Sequence, residues 1–261
     1  MVKAEGIVLR TTDYGETNKI ITVYTKEYGK IGLMARGAKR PKSTLASVSH
    51  VLFYGLCLFN KGRGLGLLYQ AESIQSFTTI RMDIEKMGYA ALIAELTDRL
   101  TEDGRPSTAL YRLIVGILLL MEDGSDPAVL SSIFAIKMME YAGIRPRLDR
   151  CIKCGGNSKP FFFSVAGGGM LCCNCARTDP YALSMSAATA RLLVLFLKIP
   201  IERIGNISLK PQTIHEIEQI IYSCYEQNAG IKLRARRFID QLARFQGNDH
   251  PTGEEKRKGR D

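Results

Sequence analysis

Five of the seven cysteines in this chain fall between positions 151 and 175. Cys151 and Cys154 make one Cys-x-x-Cys knuckle, seventeen residues follow, and Cys172 and Cys175 make a second. Two knuckles roughly 15–20 residues apart have the spacing of a structural zinc ribbon. A Cys-x-x-Cys turn aims two thiolates at one ion while its backbone N–H groups stabilise their charge. Two turns complete a closed tetrahedral shell of four sulfurs, which suits Zn²⁺. Such a shell leaves no open position for water, so the expected site is one structural Zn²⁺ and not a hydrolytic centre. A knuckle starting at Cys173 would need a cysteine at position 176, which is Ala176, so Cys173 is read as a bystander.

A second cluster is cationic. Arg36, Lys39, Arg40 and Lys42 fall within seven residues that contain no acid. Gly37 and Pro41 disfavour a regular helix there, so the segment reads as a basic loop. Lys61 and Arg63 form a smaller cationic turn. Residues 1–80 hold 11 Lys and Arg against 5 Asp and Glu, and the whole chain carries a net charge of +10. Generic solubility would explain scattered lysines. Clustering on one segment points instead to an anionic partner such as nucleic acid.

Other chemistries lack their residues. The sequence has no P-loop, no dinucleotide-binding glycine fingerprint and no His-Glu-x-x-His. His50, His215 and His250 have no partner at ligand or triad spacing, and no acidic cluster suggests a two-metal nuclease. The chain is read as a non-enzyme. The start has no apolar core segment, so no signal peptide is expected, and residues 113–121 are too short to span a bilayer. Unpaired, ligand-spaced cysteines fit a reducing cytoplasm.

The elements that must position these residues are α+β. Residues 7–12, 19–25, 30–36, 52–59 and 66–75 read as five strands separated by turn signals. With no helix between them, they predict a small closed barrel over residues 1–80, of OB-fold or SH3-like type. Tyr14, Tyr24, Tyr54 and Phe59 are candidates either to stack bases or to fill its core. From position 81 the apolar period becomes helical. Helices are expected from Ile84, from Ser107 and behind an Asp126 N-cap with Pro127 at the first turn; the middle one is apolar over most of its circumference and should be sandwiched. More start at Ser186, Thr213 and Lys232, giving a helical domain over 81–147 and 181–245 with the cysteine segment, 148–180, inserted. Within that insertion, Phe161, Phe162 and Phe163 are candidates to pack the ribbon onto the helices. Residues 246–261 are expected to be disordered.

This order resembles the RecO family of bacterial recombination mediators. The likeness is carried by EGIVLRTTDYGE at 5–16, YTKEYGK at 24–30, RGAKRPKS at 36–43 and YAG at 141–143. It continues with CIKCG at 151–155, Phe163-Ser164, GGMLC at 168–172 and KLRARRF at 232–238, so it spans about residues 1–245. Departures are Cys173, where the family more often has another residue, and Ala235, where a hydroxyl is common. The resemblance implies an OB-fold followed by a helical domain carrying the zinc finger. It implies binding of single- and double-stranded DNA, annealing of complementary strands, and work with RecR and the single-strand-binding protein SSB to load the recombinase RecA. It also implies a nucleoid-associated cytoplasmic protein. The competing reading is a zinc-ribbon protein adaptor with no direct role on DNA.

Overall fold

The structure, a computed structural model, describes residues 1–62, 64–245 and 247. Arg63 and nearly all of the 246–261 tail therefore lie outside the described residues. Strands β1 (Val2–Tyr14), β2 (Asn18–Thr25), β3 (Gly29–Ala35), β4 (Tyr54–Asn60) and β5 (Gly66–Gln75) close into a barrel in the order β1-β2-β3-β5-β4. Every pairing is antiparallel except β3 with β5, which is parallel and completes the closure. The five expected strands are present, and the barrel is OB-like.

Side chains alternate across each strand, and here both faces of one wall are buried. Ala4 and Val8 on β1, Val23 on β2 and Cys57 on β4 point inward to the barrel core. Ile7, Leu9, Tyr24 and Tyr54 on the same strands point outward into the core of the helical body. The β1 register shifts between Val8 and Arg10. Leu9 is the extra residue of that bulge, so Leu9 enters the helical core while Arg10 still emerges on the outside.

The helical body contains α1 (Thr78–Met82), α2 (Ile84–Leu100), α3 (Thr108–Glu122) and α4 (Pro127–Met138). After the inserted ribbon, which carries α5 (Cys173–Ala176), come α6 (Ala187–Lys198), α7 (Pro211–Asn228) and α8 (Arg234–Phe245). The expected caps are in place. Ser107 accepts from the Leu110 N–H, Asp126 from those of Ala128 and Val129 with Pro127 behind it, and Ser186 from that of Thr189. Two details differ from expectation. The sandwiched helix is α4, buried from Val129 to Ile136 without a break, whereas α3 leaves Arg112 and Leu119 in solvent. Ser131 and Ser132 of α4 are both buried; Ser131 returns its hydroxyl to the Ala128 carbonyl at 3.0 Å. The short α1 carries too little periodicity to be read from sequence. It is held by Glu122, whose carboxylate accepts from the Thr79 and Ile80 N–H groups at 2.9 and 3.0 Å.

Helix α8 is docked by charge. Glu95 of α2 accepts from the Arg234 and Ala235 N–H groups, satisfying two orphan donors at the helix start. Arg236 brings Nη1 to 2.8 Å from Glu218 Oε2, in contact of charge without a hydrogen-bond angle, and reaches Asp240 at 2.8 Å. Its guanidinium lies over the Tyr222 ring, 4.5 Å from the centroid. Glu218 is buried, and Tyr89 donates to its other oxygen. Removing one partner of a buried pair leaves the other charge uncompensated, at a cost of about 3–5 kcal/mol. Glu218→Ala is therefore expected to lower the unfolding free energy by an amount in that range, read as a fall in the urea midpoint at unchanged slope. A midpoint within error of the parent chain would show that this pair does not hold α8.

Candidate metal centre and nucleic-acid interface

The inserted segment folds into a three-stranded sheet of order β7-β6-β8, formed by β6 (Phe161–Ser164), β7 (Gly169–Cys172) and β8 (Leu183–Met185). The four-residue turn of helix α5 (Cys173–Ala176) follows β7 directly. Strand alternation divides the aromatic triplet. Phe163 is fully buried in the helical core with Phe161 against it, while Phe162 packs on the cysteine cluster. Gly169 is required by close approach: a Cβ there would sit 2.7 Å from the Arg147 carbonyl and 2.5 Å from Ile152. That contact brings the first knuckle onto β7, where the Ile152 N–H donates to the Met170 carbonyl at 2.8 Å.

The Sγ atoms of Cys151, Cys154, Cys172 and Cys175 all lie within 4.8 Å of one another, and those of Cys154 and Cys172 are 3.6 Å apart. A tetrahedral ion with metal–sulfur bonds of about 2.3 Å needs sulfurs about 3.8 Å apart, so the geometry fits. Burial works against ionisation of Cys151. Backbone N–H groups of Cys154, Cys172 and Lys153 outweigh it and pull that thiol down to about 6. Cys172 is lowered as well, first by the backbone of Cys175. Cys175 is pushed up to about 12, first by its hydrogen bond with Cys154 and then by burial. Four sulfurs this close cannot all carry charge unless a cation joins them, and a divalent ion would replace the retained protons. Cys173 is not part of the cluster; its thiol turns toward the Asn174 side chain at 3.7 Å.

The cationic residues lie on the barrel. Arg36, Lys39, Arg40 and Lys42 are all exposed, on the connection that leaves β3. The loop is irregular but anchored. Ala38, Leu45 and Val48 are buried in the barrel core, the Gly37 N–H donates to Asn18 Oδ1 at 2.9 Å, and the Lys39 N–H donates to the Thr17 carbonyl. Lys39 is neutralised, with Nζ 2.9 Å from Asp13 Oδ2, and that contact holds the exposed Asp13 carboxyl below its usual range. Lys61 lies apart from this loop, with Nζ 4.7 Å from the centroid of the Tyr28 ring.

The four aromatic candidates separate. Tyr24, Tyr54 and Phe59 are core residues, and only Tyr14 is in solvent, at 54% exposure. The structure adds an aromatic outside that shortlist, Tyr69 on β5, at 46% exposure. No local signal distinguishes it from the alternating residues beside it.

Between Cys151 and Cys175 the cations are Lys153 and Lys159, and Lys153 is engaged by Thr178 at 2.9 Å; just outside, Arg150 is paired with Asp149. The metal site is thus built to join segments rather than to grip phosphate. Cys151→Ser combined with Cys154→Ser is expected to abolish stoichiometric metal binding, read by elemental analysis, and to lower the melting temperature and soluble yield. An equally stable, metal-free double variant would refute the structural role.

Comparison with known proteins assigns both halves of the chain. Residues 1–77 match the family described as "Recombination protein O N terminal", and residues 81–237 match "Recombination protein O C terminal". The "DNA repair protein RecO" of Halalkalibacterium halodurans is 46% identical over 250 residues, covering 96% of this chain and 98% of the relative. The protein of the same name from Bacillus subtilis is 44% identical over 256 residues, covering 98% and 99%. That from Bacillus velezensis is 46% identical over 242 residues, covering 93% and 95%. With both halves matched and the identity sustained from end to end, the chain belongs to the RecO family.

Proposed function

We propose that this protein is a DNA repair and recombination mediator. It binds single- and double-stranded DNA through the barrel, anneals complementary strands, and with RecR helps load RecA onto SSB-coated single strands. The observation that supports this most directly is the exposed set Arg36, Lys39, Arg40 and Lys42, held on a loop whose apolar residues are buried in the barrel. The name carried by its relatives, DNA repair protein RecO, points the same way. Lys61, and Arg63 by its place in the sequence, join the DNA-contacting set in this reading. Functionally the chain divides into a barrel at 1–80, a helical domain at 81–147 and 181–245, and the metal insertion at 148–180, whose sheet is completed by β8 from just beyond that boundary.

Annealing needs no bond-making residues. Two phosphate backbones repel, and a cationic surface that screens them while leaving base edges free lets complementary bases meet. The protein acts as a binding scaffold rather than an enzyme, in the cytoplasm. Among the described residues no helix is long and apolar enough to cross a membrane. The ion is Zn²⁺, the borderline-soft cation for four thiolates, and its contribution is to folding.

Because Lys39 is engaged by Asp13, Arg36, Arg40 and Lys42 are left to meet phosphate. Replacing all four by alanine should weaken DNA binding. It should also flatten the slope of log K against log salt by about 2 on single strands and about 3 on duplex. Annealing of SSB-coated strands should fall in parallel. An unchanged affinity with an unchanged slope would remove the loop from the interface.

A further inference from the structure

One wall of the barrel faces solvent, and the strand register shows what it carries. Tyr14 pairs with Asn18 at the end of β1–β2. The β2–β3 ladder stops at Lys19 and Ala35, so Asn18 and Arg36 follow side by side, tied by the Gly37 N–H bond to Asn18. The parallel β3–β5 ladder stops at Ala35 and Leu68, which places Tyr69 beside Arg36. One rung thus reads Tyr14, Asn18, Arg36, Tyr69. The rung below it is apolar, with Ile20 paired to Met34 and Met34 to Leu67. Below that, Gly32 lies next to Leu65, whose Cδ1 would be 3.2 Å from a Cβ at Gly32.

Tyr69 occupies a special position. On the β4 side, Phe59 pairs with Leu68 and Leu58 with Gln70, so Tyr69 is the extra residue of a bulge. Leu68 before it is buried in the barrel core, and the bulge turns the next ring out beside the basic loop. Tyr14, Tyr69 and Leu65 are each about half exposed on this one face. Exposed cations, Arg36 and Arg40, stand at the aromatic rung; at the other end Arg10 is engaged by Asp98 at 2.9 Å and Lys61 lies over the Tyr28 ring. None of the rung positions is a carboxylate, and Asp13 beside Tyr14 is already neutralised by Lys39.

We propose that this wall is a base-stacking track for single-stranded DNA, with the rings of Tyr69 and Tyr14 as platforms and Arg36 on the phosphate between them. The proposal rests on the DNA-binding reading above and adds to it a preference for unpaired bases. Phosphate contacts alone serve single strands and duplex alike, whereas ring faces are useful only to bases that have left a stack. A protein-binding face would bury the same apolar residues but has no use for the flanking cations unless its partner is acidic.

The chain contains no tryptophan, so Tyr69→Trp installs a single indole reporter on the wall. Its emission is expected to be quenched on saturation with an oligothymidylate and unmoved on saturation with a duplex of equal length. Tyr69→Ala should weaken single-strand binding by roughly 5- to 150-fold, the effect of losing one stacked base. Duplex affinity and the salt slope should stay as in the parent, and Tyr69→Phe should restore single-strand binding. The urea midpoint controls for folding, which the exposed position of Tyr69 is expected to leave intact. Equal losses on single strand and duplex, no loss at all, no quenching, or failure of the phenylalanine variant would each overturn the track. Failure of the parent chain to bind DNA, or indifference to the loop substitutions, would instead overturn the phosphate reading beneath it.

Discussion

A strand has two faces, and in this protein the strands that meet the helices must satisfy a different core with each. On β1, Val8 fills the barrel while its neighbours Ile7 and Leu9 complete the helical interior. On β2, Val23 and Tyr24 divide in the same way. A one-residue slip would exchange the two sets and place a tyrosine inside the barrel, so register on this wall is specified from both sides. The bulge at Leu9 is the adjustment that lets β1 serve both cores and then deliver Arg10 to the surface. Because one wall of the barrel is consumed in this way, whatever the barrel binds must use the wall that remains.

The seam between the bodies is fixed by more than apolar contact. Lys30, with a side chain only 12% exposed, donates to the Asp98 carbonyl at 2.6 Å and lies 3.7 and 3.5 Å from the carboxylates of Asp98 and Asp103. Arg10 holds the other oxygen of Asp98 at 2.9 Å. Two cations from the barrel thus converge on the C-terminal end of α2, where the helix dipole also favours positive charge. Gly29 completes the seam. Its φ of +65° suits glycine, and a Cβ would stand 2.4 Å from the Arg105 carbonyl, so a side chain there would push the helical body away. The barrel is therefore joined to the helical body by charge and close backbone approach as well as by apolar packing.

How much of this was legible in the sequence depended on the range of the signal. The five strands, the caps at Ser107, Asp126 and Ser186, and the two knuckles rest on residues within a few positions of one another, and each was readable. Tyr24, Tyr54 and Phe59 were ambiguous because an outward ring and a core ring have the same local pattern; only docking of the helical body buries Tyr24 and Tyr54. The central place of α4 could not be read from hydrophobicity, because α3 and α4 are equally apolar and only their packing separates them. The neutralisation of Lys39 by Asp13 spans separate strands, and Tyr69 depends on a bulge defined by its partner strand. Composition could weigh the charge of the barrel but could not say which cations were already engaged.

The ribbon repeats the two-faced logic of the barrel on a smaller scale. Strand β6 sends Phe161 and Phe163 to the helical core and Phe162 to the cysteine cluster, so one strand is shared between a hydrophobic interior and a metal site. Phe163, Met170 and Met185 bury one face of the sheet in the helical core, whereas on the cysteine face only Cys151, Leu171 and Cys172 are buried, a small cluster. An ion held by the four thiolates would stabilise that face, because the free energy of closing them on one ion is folding free energy for the segment that carries them. It extends to the helices through β6 and through Asn228 at the end of α7, whose side chain donates to the Val165 carbonyl at 2.8 Å. Helices on either side of the insertion, distant in sequence, are thereby held to one element. A centre with this task needs burial and closed coordination. It has no need of cations, which explains why the sulfur site and the positive charge occupy different parts of the molecule.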